Sequence, residues 1–161
     1  MNTTGTTAPG IYSTGIISVT DAVISATGSE AAVIEGANSI TLTNTSLSGA
    51  VSRGVMIYQS MSGDAAGTLG TFTMTGGSLS SVAGPLFYIN NTKGVVTLTG
   101  VTTSAPSGVL INASAGQWGT SGKNGGTAVF TFDNDNLTGN FICDNISSIT
   151  ATLQNNTTLS L

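Results

Sequence analysis

The sequence predicts an all-β chain wound as a solenoid of about six rungs. Three observations point there: an apolar pair that recurs at a constant spacing, an apolar doublet ahead of each pair, and the lack of any convincing helical period. Two stretches make the recurrence plain. NSITLTNTSLSG at 38–49 and GTFTMTGGSLSS at 70–81 place their apolar residues alike, with Thr, Ser, Asn and Gly filling the rest.

In chain order the pairs are Val19 with Ile24, Leu42 with Leu47, Met74 with Leu79, Leu98 with Thr103, and Phe132 with Leu137, each five apart; Leu153 and Leu159 stretch this to six. Two residues before each first member stands another apolar residue: Ile17, Ile40, Phe72, Val96, Phe130 and, smallest of the series, Ala151. Alternation with period two points every second side chain to one face of a strand. The doublets are Ile11-Tyr12, Val33-Ile34, Met56-Ile57, Leu86-Phe87, Leu110-Ile111 and Phe141-Ile142, spaced by 22, 23, 30, 24 and 31 residues. Units of this length, all strand and turn, suit coils that stack at roughly 4.8 Å so that like residues form ladders.

Composition narrows the function. The chain has 161 residues, enough for a single domain over 1–161, with a polar lead-in over 1–9. Charged residues make up 6% and hydrophobic residues 39%, so solubility falls to Thr, Ser and Asn, and the chain is neither a disordered tail nor an ordinary charged-surface enzyme. Arg53, Lys93 and Lys123 face seven acidic residues; a net charge of −4 without a basic patch argues against nucleic acid as a partner. The single Cys143 has no disulfide partner and reads as a buried, inert thiol; with no His, no metal site is expected, and no cofactor. No signal peptide or membrane-spanning run is visible, and the bare start and the alternating pattern at the end suggest a piece of a longer secreted protein.

The rung pattern, from about Gly10 to Leu161, resembles the right-handed parallel β-helix proteins of the pectin-lyase-like type, secreted adhesins and autotransporter passengers among them. The resemblance implies an extracellular or cell-surface protein that binds or acts on glycans. Lyase members of that type use clustered acidic calcium ligands with a basic catalyst, and hydrolase members use clustered carboxylates. Here Asp21, Glu30, Glu35, Asp64, Asp133, Asp135 and Asp144 are scattered along the rungs, so no catalytic position carries over and a non-catalytic module is expected.

In a flat strand only one member of each doublet can face the core. If Tyr12, Ile34, Ile57, Phe87, Ile111 and Ile142 point inward, an outer ladder of Ile11, Val33, Met56, Leu86, Leu110 and Phe141 is left as a contact surface for a second subunit. The other reading buries both members at a corner. Two positions along, an outward column would hold Ser13, Glu35, Tyr58, Tyr88, Asn112 and Cys143.

This column adjoins the two long insertions, at 58–70 and 112–127, which leave the coil at the same point and should stand side by side. An exposed indole with amides, tyrosines and a carboxylate nearby suits a sugar ring, so the expected ligand-binding residues are Trp118, Gln117, Tyr58, Gln59, Tyr88, Glu35, Asn112 and Asp64. The alternative folds Trp118 down to pin its own loop. For glycoside hydrolysis, Glu35 with Asp64 is the best carboxylate pair on offer. The run DNDN at 133–136 reads as a turn, because Leu137 falls where a calcium loop needs an oxygen.

Two outward files of hydroxyls, built on Thr41 and Thr43, Thr73 and Thr75, and Thr97 and Thr99, resemble the T-x-T surfaces of ice-binding solenoids, although Thr is also simply a good strand residue. The alternating pattern that runs to the last residue leaves an edge open, and open edges recruit other chains, so end-to-end self-assembly into a fibre or surface layer is the principal alternative to glycan binding.

Overall fold

The computed structural model describes residues 1–63 and 65–161. Among the described residues there is no helix and there are seventeen strands. In chain order they are β1 (Asn2–Thr3), β2 (Ile11–Ser13), β3 (Ile16–Thr20), β4 (Val23–Ala26), β5 (Ala32–Glu35), β6 (Ser39–Gly49), β7 (Val55–Tyr58), β8 (Leu69–Ser81) and β9 (Phe87–Asn90). The remainder are β10 (Lys93–Thr99), β11 (Thr102–Ser104), β12 (Val109–Ala113), β13 (Thr127–Asp133), β14 (Asn136–Thr138), β15 (Asn140–Cys143), β16 (Ser148–Gln154) and β17 (Thr158–Ser160).

Every strand pairing is parallel, and the partner lies one coil away in sequence, which gives a solenoid-like stack. A six-stranded sheet runs β15-β12-β9-β7-β5-β2, and an eleven-stranded sheet carries β6, β8, β10, β13 and β16 along its main path. The core lies between them.

The long sheet follows the predicted files. Ile17, Ile40, Phe72, Val96, Phe130 and Ala151 stand in one register column, and Val19, Leu42, Met74, Leu98, Phe132 and Leu153 in the next. Phe72, Phe87, Phe130 and Phe132 are all fully buried. Phe87 meets Phe130 edge-on at 5.1 Å, a contact that adds about 0.5–1.5 kcal/mol beyond burial.

The constant spacing of five has a backbone cause. In an unbroken strand, residues five apart point to opposite faces. Here the residue after each hydroxyl file is left-handed: Asp21, Asn44, Gly76, Gly100, Asn134 and Asn155 have φ of 52, 48, 65, 60, 58 and 49°. One such residue per coil bends the strand and resets its parity, so Leu42 and Leu47, or Met74 and Leu79, both face inward. Asn, Asp and Gly tolerate this conformation best. The DNDN run is one of these bends; Asp135 turns inward there, and its carboxylate accepts the Val101 and Asp133 amides at 2.7 and 3.0 Å.

The short sheet corrects the expected outer ladder. Ile11 pairs with Ala32, Ala32 with Val55, Val55 with Phe87, and Phe87 with Ile111, which pairs with Phe141; this is an inward file. The outward file is Tyr12, Val33, Met56, Tyr88, Asn112 and Ile142. Tyr12 and Ile142 therefore face out, not in, and are 46% and 44% exposed. Ile11, Leu86 and Leu110 belong to the core, and Phe141 packs against it, so the six first members of the doublets form no ladder. Counting from bulky doublets misses the small Ala32 that the hydrogen bonds set opposite Ile11. Leu86 and Leu110 are wholly buried beside their doublet partners, as the corner reading has it, and β12 carries a register irregularity between Val109 and Ile111.

The expected column of Ser13, Glu35, Tyr58, Tyr88, Asn112 and Cys143 breaks up in the same way. Ser13 and Cys143 lie in an inward file with Ile34, Ile57, Ile89 and Ala113. Cys143 is nevertheless exposed rather than buried, because β15 is an edge strand and no coil covers it. Residues 1–9 are more than a lead-in: β1 pairs with β4.

Candidate functional site

The outward face of the short sheet carries a second, smaller cluster of side chains. Val33, Met56, Tyr58 and Tyr88 are buried there even though their strands' other face makes the core, and Trp118 packs over them. The cover comes from the insertion at 112–127. Asn124 holds this loop in shape, its Nδ2 donating to the carbonyls of Gly116 and Trp118, both at 2.8 Å. Asn90, at the end of β9, anchors the loop from below by donating to the Ser114 and Asn124 carbonyls at 2.9 and 3.1 Å. So held, the Trp118 ring lies 5.4 Å from the Tyr58 ring at 40°.

Glu35 is the polar hub beside this cluster. It is 3% exposed, and its carboxylate accepts hydroxyls from Tyr12, Tyr58 (3.1 Å), Ser60 and Ser62 (3.4 Å). Burial opposes its ionisation, but the hydroxyls of Ser60, Tyr12, Tyr58 and Ser62 together outweigh burial and hold the carboxyl below its ordinary value. The tyrosines respond in the opposite sense: burial, then the bond to Glu35, pushes the Tyr12 hydroxyl strongly up, and burial with the Glu35 charge raises Tyr58. Tyr12 exposes its ring while its hydroxyl turns in to Glu35 and to Tyr58, 2.9 Å away.

An ion pair completes the face. Arg53 donates to Glu30 at 3.0 Å, and its guanidinium lies 4.4 Å over the Tyr88 ring. Between these groups runs a groove with two compartments. A cavity of ≈ 210 Å³ is walled by Tyr12, Tyr58, Trp118, Glu30 and Arg53, with Thr7 and Pro9 of the N-terminal segment at its rim. A second, of ≈ 190 Å³, is walled by Tyr88, Asn90 and Gly116 and shares Arg53, Met56, Gln117 and Trp118 with the first.

Of the expected site residues, Trp118, Gln117, Tyr58 and Tyr88 line this groove. Glu35 sits behind it, spent on its four hydroxyls. Gln59 does not belong: it is 4% exposed and braces the first loop, its Nε2 donating to the Ala65 carbonyl at 2.9 Å and its Oε1 accepting the Met61 amide at 2.9 Å. Asn112 lies one strand beyond Tyr88 in the outward file and does not line either compartment. Asp64 lies outside the described residues, and with it the Glu35–Asp64 pair. The two insertions do meet, where the Trp118 ring packs on Tyr58, but Trp118 is laid down on the sheet rather than standing free.

The sequence reading missed Tyr12, Glu30 and Arg53. Tyr12 was assigned to the core by the slipped register, and Glu30 and Arg53 are joined across 23 residues by the coil's return, for which no local pattern exists. Among the described residues no group of three or more His, Cys, Asp or Glu could hold a metal ion. Compared with protein families, curated proteins and solved structures, the chain has no match.

Proposed function

We propose that this chain is a non-catalytic glycan-binding module, an extracellular right-handed parallel β-helix of six rungs of the pectin-lyase-like, adhesin type, that takes sugar in the groove beneath Trp118. The observation that carries the reading is the groove's wall: Tyr12, Tyr58, Tyr88 and Trp118, with Gln117 and the Arg53–Glu30 pair beside them. Aromatic rings meet the C–H face of a sugar, while amide, guanidinium and carboxylate satisfy its hydroxyls. A low-charge surface rich in Thr, Ser and Asn favours work outside the cell.

The carboxylates favour binding over turnover. Glycosidases need one carboxyl kept protonated as a general acid. Glu35 is instead held ionised by hydroxyls, and Glu30 is engaged by Arg53.

The test is a screen of immobilised glycans with the parent, Trp118→Ala and Tyr12→Ala. Binding that both variants lose places the site in the groove; binding that both keep, or none by the parent, sinks the proposal.

A second reading, end-to-end assembly, draws on the edge formed by β15, β16 and β17, where Ile142, Leu153 and Ile146 are 44, 43 and 40% exposed. Against a simple stack, β1 already occupies the edge of β4 at the other end. Light scattering across a concentration series separates the two readings: a mass that grows with concentration supports assembly, and a constant monomer mass removes it. The hydroxyl files Thr41-Thr73-Thr97-Thr131 and Thr43-Thr75-Thr99 do align, and thermal hysteresis in a cooled solution is the measurement on which an ice-binding role depends.

A further inference from the structure

The two compartments lie along one line. Tyr12, Val33, Met56 and Tyr88 are register partners on the neighbouring strands β2, β5, β7 and β9, so the groove crosses the strands and follows the stacking direction. From Tyr12 to Tyr88 there are three strand steps of about 4.8 Å, or about 14 Å, longer than a single pyranose ring.

The floor of the second compartment lacks a hydrogen bond that a ligand could supply. Asn90 is fully buried and lines this compartment. Its Nδ2 is committed to the Ser114 and Asn124 carbonyls, which fixes the amide's orientation, and its Oδ1 has no partner. Buried polar atoms are normally bonded, so this oxygen calls for a donor. On the other side, Arg53 borders both compartments as a donor.

Charge selects among glycans. Arg53 is already matched by Glu30 and lies over Tyr88, Glu35 adds an uncompensated negative charge, and the chain as a whole carries −4. No cation is left over for a uronate carboxylate. A row of register partners on one sheet face also favours a β-1,4-linked chain, which is an extended ribbon, over an α-1,4-glucan, which coils.

We infer that the groove binds a neutral, β-1,4-linked glycan of at least two rings laid along the stacking axis, one ring on each side of Met56 and Trp118, with the Asn90 amide oxygen accepting an O–H or N–H in the second compartment. This rests on the glycan reading and adds length, charge and direction to it.

Calorimetric titration of the parent with cello- and chito-oligosaccharides of one, two and four rings, and with oligogalacturonates of equal length, tests it. In one of the two neutral series the two-ring and longer chains bind at least about tenfold tighter than the single ring. Gly116→Ala supplies the local control. A Cβ there falls 2.6 Å from the Tyr88 hydroxyl and 3.1 Å from Asn90 Nδ2, which narrows the second compartment between them. The variant loses the gain with length.

Equal affinity at every length overturns the two-compartment inference while the glycan reading stands. A preference for oligogalacturonates overturns the charge argument in the same way. Binding of neither neutral series, with other glycans captured in the screen, removes the linkage and leaves the glycan reading; no glycan bound at all removes both. Should Gly116→Ala fail to fold, the length series on the parent decides alone.

Discussion

Replacing Glu35 by alanine tests whether a single carboxylate organises the groove's tyrosines. Four hydroxyls converge on it, yet the loss is smaller than four hydrogen bonds, because most of the donors have somewhere else to go. Tyr58 and Tyr12 keep each other's hydroxyl at 2.9 Å, and Ser60 keeps the Ser62 hydroxyl at 2.7 Å. The expected cost is therefore that of one or two bonds to a charged acceptor, about 2–3 kcal/mol. For a chain of this size that is a fall in melting temperature of about 4–12 °C.

The pH dependence gives the sign. A carboxyl whose pKa is lower in the fold than in the unfolded chain contributes its stability above the ordinary value of 4.5, and loses it as pH falls through the folded value. Glu35→Ala has nothing to lose there. The gap between parent and variant is widest at neutral pH and narrows below 4.5. Thermal melts of both proteins at pH 7 and pH 3, followed by far-UV circular dichroism, measure this. An unchanged melting temperature at pH 7, or a gap of the same size at both pH values, refutes the role given to Glu35.

Three further outcomes follow from packing and backbone geometry. Phe132→Ala, in the buried core, costs about 3–5 kcal/mol in urea denaturation, whereas Leu153→Ala, 43% exposed at the open edge, costs less than about 1 kcal/mol. Gly77→Ala is destabilising by about 1–3 kcal/mol, since Gly77 has φ +80° and a Cβ would meet the Thr45 backbone, 2.7 Å from its nitrogen; Gly15→Ala, with open space around it, stays within about 0.5 kcal/mol of the parent. Trp118→Ala, which uncovers Tyr58 and Met56 but removes a ring that is only half-buried, costs about 1–2 kcal/mol, read in the same urea experiment.

Strand alternation is a local property, and it was legible. Ile40, Leu42 and Leu47 announce their own inward direction through their spacing, and so do the matching residues of the other coils, which is why the long sheet's core files and its threonine files could be written down from the chain alone. The bend that makes the spacing five also left a mark, an Asp, Asn or Gly at 21, 44, 76, 100, 134 and 155, although only the DNDN run among them reads as a turn from the sequence.

Register in the short sheet was not legible. Its strands are three to five residues long and are joined by loops of unequal length, so which carbonyl meets which amide is settled by the whole coil and not by the nearest bulky pair. One residue of slip turned Tyr12 from core to surface, and with it the aromatic wall of the groove. The pairing of Glu30 with Arg53, the hydroxyl shell of Glu35 and the seating of Trp118 on Tyr58 all join residues at least 23 positions apart. The sequence by itself determined that this chain folds into stacked parallel strands with an apolar interior, because that needs only periodicity repeated coil after coil; only the tertiary structure decided which side chains share the groove, because a contact between coils exists only once the register is set.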